Sequence, residues 1–156
     1  MNKKKLYTLD EFEEDDFSLL AIHSSLESYK IAFLLNTYCG SQFVMCKEDI
    51  ELPLKNAFFQ NFEWDNPKKG IHCNLFSNKF TKLDINASKG AGLFDIPETK
   101  KVYLLPELKK VDYFIKINSG ISVEVLNKKI ELINEISTCY PPKTNKINFH
   151  HTLNFD

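Results

Sequence analysis

The chain has no arginine, and all 20 of its basic residues are lysine. A guanidinium group binds phosphate, carboxylate or guanine through two parallel hydrogen bonds, so anion recognition here would rest on lysine ammonium groups and backbone amides. The 21 acidic residues bring the net charge to −1, which leaves no global field to attract nucleic acid or an anionic membrane. Composition therefore argues against nucleic acid as a partner.

Long apolar runs are also absent. The longest, Ile31 to Leu35, is far shorter than the ~20 residues that cross a bilayer. The basic start, Met1 to Lys5, is followed by Leu6 to Glu11, which does not supply the apolar region of a signal peptide. We therefore expect a cytoplasmic protein without membrane association.

The cysteines are scattered along the chain and lack the CxxC spacing of metal or redox sites, which is typical of reduced thiols in a cytosolic protein. His150 and His151 have no third ligand at a familiar spacing. We therefore predict no metal site, no disulfide and no cofactor. The four cysteines are Cys39, Cys46, Cys73 and Cys139.

Apolar periodicity predicts two helices. Ser24 and Glu27 have the spacing of a capping box, which would open a helix over residues 26–38 whose core face includes Tyr29 and Phe33. Leucine and isoleucine at helical spacing predict a second helix over residues 122–138, ended by two prolines.

Short β-rich segments are separated by turn residues and predict a largely antiparallel sheet of about five to seven strands. With two helices packed on one face of this sheet, the fold is α+β. We expect one domain over residues 1–142, a long loop over 84–95, and a tail over 143–156 that forms an edge strand or frays. The predicted strands are Leu6–Leu9, Phe17–His23, Phe43–Ile50, Asn56–Trp64, Ile71–Phe76, Val102–Leu105 and Val111–Ile117.

The most informative segment is Leu105-Pro106-Glu107-Leu108-Lys109-Lys110-Val111-Asp112-Tyr113-Phe114. It predicts a β-hairpin in which residues 102–105 pair with residues 111–117 and Tyr103 lies opposite Tyr113. In that register Asp112 lies on the apolar face that carries Phe114. A desolvated carboxylate there needs partners, because leaving it unpaired costs several kcal/mol.

This segment resembles the signature of the IPExxxVDY family of Bacteroidetes, with Leu105 where isoleucine is usual. Near the N-terminus, Leu26-Glu27-Ser28-Tyr29-Lys30 is similar to a family segment that reads Leu-Glu-Asp-Tyr-Arg/Lys, with Ser28 in place of the acidic residue. The resemblance covers most of the chain. It implies no particular biochemical activity.

Two interpretations of the acidic residues in the motif stay open. In the structural one, Asp112 accepts backbone amides from a neighbouring turn, Glu107 caps or solvates the loop, and the motif specifies the fold. In the functional one, Glu107 and Asp112 are an acidic pair at the rim of a cleft, with His23 or His72 nearby. Such a pair would serve acid–base chemistry or bind a cationic group.

The chain shows no nucleophile elbow, nucleotide fingerprint or basic stripe. We therefore predict a non-catalytic interaction or adaptor module that binds a protein partner through the motif, an exposed sheet edge or the 84–95 loop. The alternatives are a small-ligand-binding protein or enzyme that uses Glu107 and Asp112, and an RNA-associated accessory protein. The sequence leaves the oligomeric state open. The motif residues proposed to act in structure or binding are Leu105, Pro106, Glu107, Val111, Asp112 and Tyr113.

Overall fold

The computed structural model describes residues 17–84 and 98–143. Strands and helices alternate irregularly along these ranges, as in an α+β fold, and short 3-10 helices cover Pro53–Lys55 and Pro106–Leu108. The elements are β1 (Ser18–His23), α1 (Ser28–Tyr38), β2 (Val44–Met45), β3 (Ile50–Leu52), β4 (Ala57–Phe59), β5 (Asn61–Asn66), β6 (Ile71–Ser77), β7 (Lys79–Asp84), β8 (Glu98–Tyr103), β9 (Tyr113–Ser119), α2 (Val123–Glu131) and β10 (Thr138–Tyr140).

A six-stranded sheet in the order β10-β1-β9-β6-β5-β2 forms the middle of the molecule. Each neighbouring pair in it is antiparallel. Because side chains alternate along a strand, β9 sends Tyr113, Ile115 and Ile117 to one face and Phe114 to the other. The central strand is therefore buried on both faces.

Both helices pack on the same face of this sheet. The buried residues of α1 and α2 form one apolar cluster with Leu20 and Ile22 of β1. This arrangement confirms the predicted α+β fold, with an antiparallel sheet of the expected size and two helices on one face. The helical residues in the cluster include Ile31, Ala32, Leu34, Leu35, Leu126 and Ile130.

The opposite face of the sheet is covered by two small strand pairs, β3–β4 and β7–β8. Phe59 and Val102 from these pairs join Phe76 and Phe114 of the central sheet in a second apolar cluster. The rings of Phe76 and Phe114 lie 5.9 Å apart between centroids. The described residues therefore build three layers, with apolar packing on each side of the sheet.

The start of α1 differs from the predicted one. The helix begins at Ser28 with Glu27 as its N-cap, and no side chain caps it. The capping box predicted from Ser24 and Glu27 is wrong, because the Ser24 hydroxyl accepts the Leu26 amide and donates to the carbonyl of Glu135 instead. Ser24 therefore links the start of α1 to the segment that follows α2.

The second helix is shorter than predicted and ends at Glu131. The chain then makes two successive turns, closed by bonds from the Ile133 amide to Ile130 and from the Ile136 amide to Ile133. These turns keep Ile133 and Ile136 buried and bring residues 138–140 into the sheet beside β1. The apolar spacing that predicted a longer helix therefore belongs to a turn and a strand.

The hairpin predicted between residues 102–105 and 111–117 is also wrong. β8 pairs with β7, which puts Tyr103 opposite Lys79, whereas β9 pairs with β1 and β6. Alternating strands show where a chain is extended but not what it pairs with. Here the amides of Leu104 and Leu105 bond to Asn78, so they are not paired with β9.

Some predictions lie outside the described residues. They are the strand at Leu6–Leu9, the His150-His151 pair, and all but the first residue of both the 84–95 loop and the 143–156 tail. Within the described ranges, the helices are too short or too polar to cross a membrane. The four cysteines are free thiols, three of them buried.

Replacing Gly120 by alanine should lower the free energy of unfolding by about 2 to 5 kcal/mol. Gly120 has φ +91°, and a Cβ atom there would lie 2.4 Å from the carbonyl oxygen of Gly70. Urea denaturation measures the loss. Gly40→Ala is the matched control, since Gly40 has φ +73° but open space around it, and its cost should stay near 1 kcal/mol. Equal losses would show that the close approach is unimportant.

Candidate functional site

Asn78 connects β6 to β7 and is completely buried. Its side-chain oxygen accepts the amide of Leu105 at 2.8 Å. Its side-chain nitrogen donates to the carbonyls of Leu108 and Val111, each at 3.0 Å. One amide side chain therefore satisfies three backbone groups of the motif segment, residues 105–114.

The backbone of Asn78 binds the same stretch of chain. Its amide donates to the carbonyl of Asp112, and its carbonyl accepts the amide of Leu104, both at 2.9 Å. With the side-chain bonds, every nitrogen and oxygen atom of Asn78 is hydrogen-bonded to residues 104–112. We call this set of bonds the Asn78 network.

The network accounts for most of the motif. Leu105 and Val111 are each 1% exposed and belong to the second apolar cluster. Pro106 starts the 3-10 helix, where a missing amide donor has no cost. Glu107 lies in the first turn of this helix and is exposed, without a hydrogen bond or ion pair to another residue in the described ranges.

Asp112 is held from three directions. One carboxylate oxygen accepts the backbone amide of Ser24 at 2.9 Å, and the other pairs with the Lys79 ammonium group at 2.7 Å. The Asp112 amide donates to the carbonyl of Ile22 at 3.0 Å. Through these contacts Asp112 links the end of β1 to β7. Its side chain is 25% exposed, so the contacts are partly shielded from solvent.

Tyr113 anchors the same loop one step further along. Its buried hydroxyl donates to the backbone carbonyl of Leu26, just before α1. Burial, and then the negative charges of Asp112 and Glu27, raise the pKa of the Tyr113 phenol to about 12. The phenol therefore stays a hydrogen-bond donor at neutral pH, and the motif fixes the loop that leads into α1.

Asp112 and Tyr113 open onto a polar cleft of about 280 Å³. Glu107 is not among the described residues that line it, so the cleft does not combine the two acidic residues of the motif. His23 bonds to the Tyr140 hydroxyl and His72 to Glu63, rather than to Asp112. The described lining residues are Ser24, Ser25, Leu26, Glu27, Ser77, Lys79, Lys101, Asp112 and Tyr113.

An apolar groove of about 490 Å³ runs beside α1. Tyr29 and Phe33, which were predicted to be core, are 56% and 65% exposed there. That prediction is wrong because α1 turns its other apolar face to the sheet. The sequence did contain a signal for this surface. Apolar residues cover more of the circumference of α1 than the single stripe that a helix can bury against a sheet. The groove is lined by Leu26, Tyr29, Lys30, Phe33, Leu34 and Glu135.

The polar cleft and the apolar groove share Leu26. Its backbone carbonyl accepts the Tyr113 hydroxyl, and its amide donates to the Ser24 hydroxyl. The motif thus fixes the position from which α1 and its exposed rings start. The sequence predicted the motif residues but gave no sign that they support this groove.

Comparison of the chain with protein-family models, curated proteins and solved structures finds no match. Within residues 17–84 and 98–143, histidine, cysteine and acidic side chains do not form a group of three or more that could hold a metal ion. A function has to be inferred from the chemistry of the site itself.

Asn78→Ala should destabilise the protein by on the order of 3 kcal/mol, because it leaves the buried Leu105 amide and Val111 carbonyl without partners. It also removes one of the two hydrogen bonds to the Leu108 carbonyl, which still accepts the Val111 amide. Chemical denaturation provides the measurement. Asn118→Ala is the control, since the half-buried Asn118 side chain donates to Asn74 at a long 3.4 Å. A similar small loss for both variants would contradict a central role for the Asn78 network.

The Tyr113 hydroxyl should make stability fall between about pH 10 and 12. An unfolded phenol ionises near pH 10, whereas the folded phenol has its pKa raised to about 12. Its contribution is therefore complete below pH 10 and lost as the pH rises through the folded pKa, on the order of 2 kcal/mol. Comparing denaturation of wild type and Tyr113→Phe across this range isolates the effect. A constant difference between them would show that the phenol does not titrate in this way.

Proposed function

We propose that this protein is a non-catalytic cytoplasmic interaction module that binds an apolar helical segment of a partner protein in the groove beside α1. The exposure of Tyr29 and Phe33 carries this proposal. Single exposed apolar residues are ordinary on a protein surface, but apolar residues gathered around a concave site are typical of binding sites.

The spacing along α1 supports a helix as the ligand. Tyr29 and Phe33 lie four residues apart on one face of α1, and Leu26 lines the same groove from the loop before the helix. Such an arrangement receives apolar side chains spaced three, four and seven residues apart on a partner helix. Lys30 and Glu135 give the rim one charge of each sign. A partner helix with an acidic and a basic residue flanking its apolar anchors would complement this rim.

The state of Asp112 supports a binding rather than a catalytic role. Both of its oxygens are engaged, by Ser24 and Lys79, so its charge is already paired within the protein. The same bonds hold the loop before α1, which keeps the groove preorganised for a ligand. Membership of the IPExxxVDY family belongs to the same proposal and is supported by the motif at residues 105–113.

Phe33→Ser should abolish the complex while changing stability by less than about 0.5 kcal/mol, because the ring is largely in solvent. Tagged protein purified from its native cytoplasm, with co-purifying proteins quantified by mass spectrometry, measures the complex. Thermal denaturation checks the fold. Leu132→Ser is the matched control, since Leu132 is 83% exposed at the end of α2 and does not line the groove.

A complex that survives both Phe33→Ser and Tyr29→Ser would refute the proposal. If Glu107→Ala abolished the complex at normal stability, the contact would move to the turn of the motif. Light scattering of the purified protein separates a third outcome. A dimer that dissociates in Phe33→Ser would show that a second copy of the chain fills the groove.

A further inference from the structure

A second groove, of about 340 Å³, lies beside the β7–β8 pair. Four lysines, Lys55, Lys82, Lys100 and Lys101, line it together with Tyr103 and other apolar residues. We call this site the lysine groove. It is distinct from the groove beside α1, because the two share no described lining residue, and α1 and the β7–β8 pair belong to clusters on opposite faces of the central sheet.

Two of these lysines are in an unfavourable arrangement. Lys82 is directly opposite Lys100 in the antiparallel pair, and like charges in that position destabilise a sheet. The Lys82 ammonium group donates to the neutral backbone carbonyl of Lys55 at 2.9 Å. Within the described ranges, the lysines of this groove form no ion pair with an acidic side chain.

We propose that the lysine groove binds a small anion that carries two or more linked phosphate groups. Such an anion would place its charges between Lys82 and Lys100 and relieve their repulsion. In a chain without arginine, lysine ammonium groups are the side chains available for phosphate. Tyr103 and Leu54 would contact an organic substituent, since both line the groove and the side chain of Leu54 is fully exposed.

Charge distribution favours a small ligand over a nucleic acid. The net charge of −1 provides no long-range attraction for a polyanion, so recognition must come from contact within the groove. Its volume suits a small molecule, as pockets of about 300 to 1,000 Å³ do. Single-stranded nucleic acid binding combines an extended basic track with several stacking rings, which this compact groove does not offer.

Calorimetric titration with tripolyphosphate, ATP and a single-stranded RNA 10-mer tests the proposal. We expect the first two to bind with one ligand per chain. Lys82→Gln/Lys100→Gln should raise their Kd by about tenfold or more, because charge-assisted contacts are lost. The control is Lys68→Gln/Lys69→Gln, an exposed lysine pair in the turn between β5 and β6, which should bind as wild type does.

The unliganded protein gives a second readout. Lys100→Gln removes the repulsion from Lys82, so it should raise the melting temperature by about 1 to 4 °C while weakening tripolyphosphate binding. A loss of binding caused by unfolding would instead lower the melting temperature. The proposal is overturned if neither phosphate compound binds, if both double variants bind equally, if only the RNA binds, or if Lys100→Gln lowers the melting temperature.

Discussion

The arrangement of this fold depends on the hydrogen bonds of one buried side chain, that of Asn78. It joins the last residue of β6 to the first of β7, where the chain leaves the central sheet for the layer that covers it. The same residue binds the segment that leads from β8 back to β9. A primary amide suits this position because it both donates and accepts. Aspartate would lack the donors, and leucine would leave buried backbone groups unpaired.

The positions of Asp112 and Tyr113 follow from this constraint. The amide of Asn78 donates to the carbonyl of Asp112 and so fixes the backbone at this point. The side chains of Asp112 and Tyr113 then contact residues just after β1 rather than a hairpin partner. Asp112 then binds the amide of Ser24, and Tyr113 binds the carbonyl of Leu26. A conspicuous acidic motif thus acts through backbone contacts on the loop before α1. In the proposed function, its influence on binding would be through position, whereas direct contact with a ligand would fall to the residues of α1.

The fold class was predictable from the sequence, since apolar residues recur at different spacings in helices and in strands. In both elements the spacing arises because one face is buried. Strand pairing was not, because β8 and β9 alternate in the same way whichever strand lies beside them. The buried, hydrogen-bonded position of Asn78 was not predictable either, because an asparagine between Ser77 and Lys79 is typical of an exposed turn. Tyr29 and Phe33 were assigned to the core because periodicity identifies apolar residues without counting how many the sheet can cover.

The exposed rings of Tyr29 and Phe33 and the facing pair of Lys82 and Lys100 are locally unfavourable. The rest of the fold offsets their cost in folding free energy. Apolar clusters on both faces of the central sheet supply stability that depends on neither feature. The polar cleft lies between the two surfaces, because it shares Leu26 with the apolar groove and Lys101 with the lysine groove. Contiguity alone does not couple two sites, since coupling requires an element with two arrangements. The bonds of Asp112 to Lys79 and Ser24 instead join β7 to the loop before α1, and so link the layers that carry the two grooves.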